Sequence, residues 1–402
     1  MQLNQRFLAQ MREATQLLQT SGPVAATAAI QRALQGALDP SAPEVGRAKA
    51  GWSPSMLEPH ELVEVNPADT ESANAAPEST ADIPDRLRQS FWRKGKGTPS
   101  RQPVDDVEVD ADVDDEGKGK FLTASCTNDA GTRAYKIYVP SSYNGQALPL
   151  IVMLHGCKQN PSDFAAGTGM NAIAERNDCF VVYPAQARAA NASNCWNWFK
   201  AEDQRRDRGE PSIIADITRD VIRTYHIDPS RVYVAGLSAG GAMAAIMGAE
   251  YRELYAAVAI HSGLPVGAAH DLPSAFAAMK NGAPARHRRK HGEPPLPVIV
   301  FHGDRDTTVH PSNCDQVLAQ CIESKETEVT VQEGKVPHGH AYTRIVQRDR
   351  NGKVIAEKWI VHGAGHGWSG GSRRGSYTDS KGPNAAKEML RFFYTHVRCE
   401  HS

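Results

Sequence analysis

The sequence is poor in several features that mark particular classes of protein. Its 402 residues include 45 Lys and Arg against 46 Asp and Glu, so no net positive charge draws it to nucleic acid. It has no run of 18 or more apolar residues, which predicts that no segment spans a membrane. The first twenty residues lack the basic start, apolar core and cleavage site of a signal peptide. We therefore expect a cytoplasmic location rather than an extracellular one.

Cysteine is present but is not spaced to hold a metal. The seven cysteines form no CxxC pair and no Cys/His zinc pattern, so no metal site is expected. An odd number of cysteines favours mostly free thiols in a reducing compartment. The acidic run near residue 110 is not spaced as a calcium-binding loop.

Composition divides the chain into three parts. Residues 1–38 show apolar residues at helical spacing and predict a helical segment. Residues 39–118 are rich in Pro, Ala, Ser and acidic side chains, which predicts a disordered acidic linker. Residues 119–400 alternate short apolar runs with helical patterns. That alternation predicts an α/β catalytic domain with a mostly parallel central sheet flanked by helices.

A G-x-S-x-G motif at residues 236–240 indicates a catalytic serine. The apolar run at 231–235 predicts a buried strand before it, and the small residues of 241–250 predict a helix after it. Strand, motif and helix in this order form a nucleophile elbow, in which glycines permit a sharp turn that lifts the serine above the sheet. We therefore predict Ser238 as the nucleophile.

A serine nucleophile needs an acid further along the chain. Residues 297–301 predict a buried strand, and the loop after it carries two candidates, Asp304 and Asp306. Because Asp306 lies deeper in that loop, it is the preferred member of the triad.

The base should follow one more strand. Residues 354–361 predict that strand, with His362 at its end and His366 between glycines in the following loop. His366 is free to reach back over the serine, so it is the predicted general base, and His362 is the predicted structural histidine.

The remaining component is an oxyanion hole made of backbone N–H groups. One donor should be Ala239, directly after the serine, and the other should come from the loop that follows the predicted strand at 148–154. We predict the Cys157 N–H as the second donor, with His155 and Gly156 shaping the turn.

Five motifs taken together resemble the polyhydroxybutyrate depolymerase family of esterases, which is grouped with feruloyl and acetylxylan esterases among the α/β-hydrolases. The resemblance covers residues 119–398 and rests on HGCKQ (155–159), CWNWF (195–199), GLSAGGAMA (236–244), HGDRDTTVHPSN (302–313) and GHGWSGG (365–371). It implies a serine esterase with Ser238, Asp306 and His366 as its triad and His155 or its neighbours at the oxyanion site. Gly367 departs from the family pattern, where alanine is more usual.

Two further hypotheses depend on these motifs. A Cys157–Cys195 disulfide would brace the oxyanion loop, as an alternative to two free thiols. Trp196, Trp198 and Trp368 would line an acyl or polyester groove, unless they belong to the core.

The resulting expectation is a serine esterase that needs no cofactor and acts on polyhydroxybutyrate or its short oligomers. A feruloyl or acetylxylan esterase and a general carboxylesterase are the enzyme alternatives. The non-enzyme alternative is a scaffold that binds polyester granules, to which the predicted helices of residues 1–38 would adhere. Residue patterns do not determine the oligomeric state.

Overall fold

The computed structural model describes residues 119–284, 296–322 and 327–398. The predicted helical segment at 1–38 and the predicted linker at 39–118 lie outside the described residues, as does Cys399.

Within those described ranges, ten strands form one mixed sheet in the order β1-β2-β4-β3-β5-β6-β7-β10-β9-β8. The strands from β4 to β10 in that order are parallel, and the outer strands pair antiparallel. Their bounds are β1 (Lys120–Asn128), β2 (Gly131–Val139), β3 (Leu148–Leu154), β4 (Phe180–Pro184), β5 (Ile227–Leu237), β6 (Ala257–His261), β7 (Val298–Gly303), β8 (Glu328–Lys335), β9 (Ala341–Arg348) and β10 (Val354–Val361).

Helices cover both faces of this sheet. Successive side chains of a strand point to opposite faces, and β3 accordingly sends Leu150 and Val152 into one apolar core and Ile151 and Met153 into another. The helices are α1 (Pro161–Thr168), α2 (Met170–Arg176), α3 (Gly209–Thr224), α4 (Ala239–Glu250), α5 (Leu272–Asn281), α6 (Ser312–Cys321) and α7 (Ala385–Phe393). This arrangement confirms the predicted α/β class with a mostly parallel sheet.

The parallel strands determine where a site can form. β5, β7 and β10 all end at one edge of the sheet, so the loops that follow them meet there. A small parallel ladder of β11 (Trp368–Ser369) and β12 (Thr378–Asp379) holds the loop after β10. Among the residues that the structure describes, no helix has the length and apolar character needed to cross a bilayer.

Candidate active site

Ser238 lies on a strained turn between β5 and α4. Its backbone has φ 57° and ψ −118°, an unfavourable conformation for a residue with a side chain. A Cβ atom on Gly240 would lie 2.0 Å from the Leu154 carbonyl oxygen, and one on Gly236 would lie 2.2 Å from the Gly240 oxygen. Only glycine permits these close approaches. The Ser238 N–H donates to the His261 carbonyl at 2.9 Å, which ties the turn to β6.

Asp306 lies in the loop after β7, and its side chain is completely buried. One carboxylate oxygen accepts hydrogen bonds from the N–H groups of Thr308 and Val309, each at 2.9 Å. The other accepts from His366 Nδ1 at 2.7 Å. Burial raises the pKa of Asp306, but hydrogen bonds from His302 and His366 outweigh it and hold that pKa well below its usual range. Asp306 is therefore an ionised carboxylate that orients an imidazole.

Only one ring nitrogen of His366, Nδ1, makes a hydrogen bond within the described ranges. Because an ionised carboxylate can only accept, Nδ1 donates in the contact with Asp306, which makes Nε2 the nitrogen that accepts a proton in the neutral ring. Within the described ranges, no hydrogen-bond partner contacts Nε2. The loop crosses the end of β7 so closely that a Cβ atom on Gly303 would lie 2.3 Å from the Ala364 oxygen. The imidazole is thus placed at the same sheet edge as the serine.

Asp304 and His362, the other candidates for the acid and the base, pair with each other. Asp304 accepts from His362 Nδ1 at 2.9 Å and from the Gly363 N–H at 2.7 Å. His362 Nε2 contacts the Thr343 hydroxyl at 2.9 Å, so both ring nitrogens are engaged. The two loops therefore carry two separate aspartate–histidine pairs.

The loop after β3 lies beside the serine. A Cβ atom on Gly156 would be 3.6 Å from Ser238 Cβ. The Cys157 N–H contacts no acceptor among the described residues. Ala239 begins α4, where the first N–H groups of a helix have no acceptor within the helix. Both predicted donors are thus backbone N–H groups that remain available near Ser238.

A disulfide joins Cys157 to Cys195, so the bridge that the sequence left open is formed. Behind it, the Glu210 carboxylate accepts from the backbone and side-chain N–H groups of Asn197, each at 2.7 Å. Gln186 donates to the Cys195 carbonyl at 2.8 Å and also to Glu210. Burial raises the pKa of Glu210. This buried network braces the oxyanion loop, and no motif in the sequence marks it.

Three further cysteines of the described ranges are not bridged. Cys126, Cys179 and Cys314 are thiols. The cytoplasmic location stays a prediction, which the bridge does not favour because disulfides persist mainly in oxidising compartments.

Two buried histidines hold loops of the site through hydrogen bonds. His155 Nδ1 contacts the Gly156 carbonyl at 2.8 Å, and its Nε2 accepts from the Gln186 N–H at 3.1 Å. His261 Nε2 accepts from the Ser369 N–H at 2.9 Å, which fixes the loop after His366. Burial lowers the pKa of His155 to about 4 and that of His261 to about 3, so both rings are neutral. The His155 ring shapes the loop, and the sequence reasoning missed His261.

The three tryptophans lie in the interior. Trp196, Trp198 and Trp368 expose 0%, 5% and 1% of their surface. Trp368 stacks on His261 and meets the Phe164 ring edge-on. Their role in lining a groove stays a prediction, and this burial favours the core alternative. Among the described residues, no cluster of three or more His, Cys, Asp or Glu side chains is arranged to hold a metal ion.

A strained serine between a strand and a helix, with an aspartate–histidine pair at the same sheet edge, is typical of the α/β-hydrolases. Residues 133–326 match the family described as Esterase PHB depolymerase, which confirms the resemblance seen in the motifs. The structural match to acetyl xylan esterase from Aspergillus awamori covers 68% of this chain and 99% of that protein, with a TM-score of 0.53 and 18% sequence identity. This likeness supports the α/β-hydrolase fold.

Curated relatives include depolymerases and carbohydrate esterases. Poly(3-hydroxyalkanoate) depolymerase C of Paucimonas lemoignei is 33% identical over 60% of this chain and 59% of its own length. Poly(3-hydroxybutyrate) depolymerase of Ralstonia pickettii is 28% identical over 58% of this chain and 50% of its own. Feruloyl esterase B of Neurospora crassa is 29% identical over 60% of this chain and 85% of its own length. The chain thus spans between half and three fifths of the two depolymerases.

Proposed function

We propose that this chain is a serine carboxylic-ester hydrolase acting on polyhydroxybutyrate or short hydroxyalkanoate oligomers. The observation that carries the proposal is the buried Asp306–His366 pair, whose free Nε2 lies at the same sheet edge as the strained Ser238. The match of residues 133–326 to the esterase family supports the same chemistry.

The reaction follows from the arrangement of protons and donors. Ser238 Oγ attacks the ester carbonyl as His366 Nε2 takes its proton, and Asp306 stabilises the imidazolium. The N–H groups of Cys157 and Ala239 bind the oxyanion of the tetrahedral intermediate. His366 then returns the proton to the leaving alkoxide. A water molecule hydrolyses the acyl-enzyme by the same route, and no step calls on a metal or organic cofactor.

Two substrate classes compete for this mechanism. Two relatives are named polyester depolymerases, which supports hydroxyalkanoate esters, while others are named feruloyl and acetylxylan esterases. Purified wild type and Ser238→Ala should be compared on amorphous polyhydroxybutyrate and on methyl ferulate. Release of 3-hydroxybutyrate by the wild type alone supports the proposal. Ferulate release without polymer cleavage would keep the mechanism and move the substrate to plant polysaccharide esters.

A scaffold that binds polyester granules without cleaving them is the non-enzyme alternative. A fluorophosphonate probe labels an activated serine and separates the two. Labelling of the wild type but not of Ser238→Ala is expected. A folded wild type that takes up no probe would favour the scaffold.

A further inference from the structure

A cleft of about 430 Å³ opens beside His366 and has no role in the mechanism above. The loop after β10, its continuation into β12 and the turn before β9 form its walls. The side chains that line it include His340, His366, Arg373, Thr378, Asp379 and Lys381.

The acidic side chain of the cleft already has hydrogen-bond partners on both of its oxygens. One oxygen of Asp379 contacts His340 Nε2 at 2.9 Å, and the other accepts from the backbone N–H of Lys381 at 2.9 Å. The Arg373 guanidinium and the Lys381 ammonium are exposed, and within the described ranges neither contacts a carboxylate or another acceptor. Among the described residues, the cleft therefore presents two cations that no carboxylate contacts.

These cations lie on a braced loop. The β11–β12 ladder pairs Trp368 with Thr378 and Ser369 with Asp379, which joins the cleft wall to the loop of the base. Gln159 Nε2 donates to the Ser376 carbonyl at 3.0 Å and so connects the same loop to the oxyanion side. A braced loop loses less conformational entropy when it binds a ligand.

The position of His366 tells which part of the substrate enters the cleft. The imidazole returns its proton to the leaving alkoxide, so the alcohol portion of the ester must lie against it. In a hydroxyacid oligomer, the alcohol released carries its own carboxylate at the far end. The alcohol portion therefore brings an anionic group toward His366, and the cleft beside that residue is lined by Arg373 and Lys381.

We infer that Arg373 and Lys381 bind the terminal carboxylate of a short hydroxyacid oligoester and select soluble oligomers cleaved near their acid end. Arginine suits this role because its planar fork matches a carboxylate, and lysine adds a second charge. The inference rests on the proposed esterase function and specifies the substrate of that site.

The test compares two dimers of 3-hydroxybutyrate, one with a free carboxylate and one with that group converted to a primary amide. Both contain one ester bond, and only the acid carries charge. We expect the wild type to prefer the acid in kcat/KM. The ratio of acid to amide should fall about tenfold in Arg373→Gln/Lys381→Gln, the size of a charge-assisted contact. The wild-type ratio of acid to amide should also fall as the salt concentration is raised.

Arg374→Gln is the matched control, because Arg374 is the adjacent exposed arginine and does not line the cleft. It should leave the ratio unchanged. An unaltered ratio in the double variant, or an equal fall in the control, overturns the inference.

The two proposals fail in different ways. If the wild type hydrolyses the amide dimer and Ser238→Ala does not, the esterase function stands whatever the ratio. If neither dimer is hydrolysed, the assays on amorphous polyhydroxybutyrate and methyl ferulate decide the esterase function, and calorimetry with the acid dimer tests the cleft by binding alone. Equal affinity of the wild type and the double variant for that dimer would then overturn the carboxylate site.

Discussion

The loops after β7 and β10 are joined by two aspartate–histidine pairs that look alike in sequence. Asp304 pairs with His362 at 2.9 Å, and Asp306 pairs with His366 at 2.7 Å. The side chains of the first pair are 39% and 43% exposed, whereas those of the second are 0% and 12% exposed. Residue type and contact distance therefore do not distinguish the two pairs, and burial does.

Burial changes what each pair can do. In the outer pair, water competes for the charges, and Thr343 occupies the second nitrogen of His362, so the contact adds little beyond local structure. In the inner pair, hydrogen bonds from His302 and His366, together with the Val309 N–H, keep Asp306 ionised, and His366 Nε2 has no hydrogen-bond partner among the described residues. A buried carboxylate that accepts several hydrogen bonds can orient a catalytic base, whereas an exposed carboxylate mainly stabilises its loop.

The sharpest way to separate the pairs is to remove each histidine. His366→Ala should lower kcat by about 10⁵-fold or more, because the serine loses its proton acceptor. His362→Ala, four residues away, should change kcat by about twofold at most, since it removes an exposed contact. Both are measured on a short-chain nitrophenyl ester. Similar losses in the two variants would contradict the division of roles.

Replacing each aspartate by asparagine should have the next largest effect. Asp306→Asn should lower kcat by about 10⁴-fold, because the amide no longer holds the tautomer of His366 that accepts the proton. Asp304→Asn should change it by about twofold. Circular dichroism of both variants shows whether the fold survives. A folded Asp306→Asn with near wild-type kcat would remove Asp306 from the triad.

The smallest effect concerns stability at low pH. The folded-state pKa of Asp306 is held well below its usual range, so its ionisation stabilises the fold above the unfolded-state pKa of about 3.9, and this contribution is lost as pH falls further. Denaturant unfolding at pH 7 and pH 3 should show that the stability difference between wild type and Asp306→Asn shrinks at the lower pH.

Asp304→Asn provides the comparison for that measurement. The pKa of Asp304 is also lowered, because hydrogen bonds from His362 and Gly363 outweigh its partial burial. Its pH-dependent contribution should be the smaller one and should weaken in salt, since the pair is exposed. A stability difference for Asp306→Asn that is independent of pH would contradict the depressed pKa.

Much of the site could be predicted because its parts are local. The turn at Ser238 needs glycines on both sides for close backbone approach, and those glycines are visible in the chain. The network of Gln186, Asn197 and Glu210 could not be predicted, since its members come from separate segments and are ordinary polar residues until they are buried together. The sequence pattern of the CWNWF motif is equally compatible with tryptophans that line a groove and with tryptophans that belong to the core. Only the packing of the folded chain distinguishes the two.

The sequence by itself determined the α/β class, the order of the strands that bear the site and the elbow at Ser238, because periodicity and turn chemistry act over a few residues. Only the tertiary structure decided which aspartate meets which histidine, which tryptophans are buried and which cations face the cleft beside His366. The physical reason is that burial and pairing depend on segments about sixty residues apart in the sequence, which come together only in the folded chain.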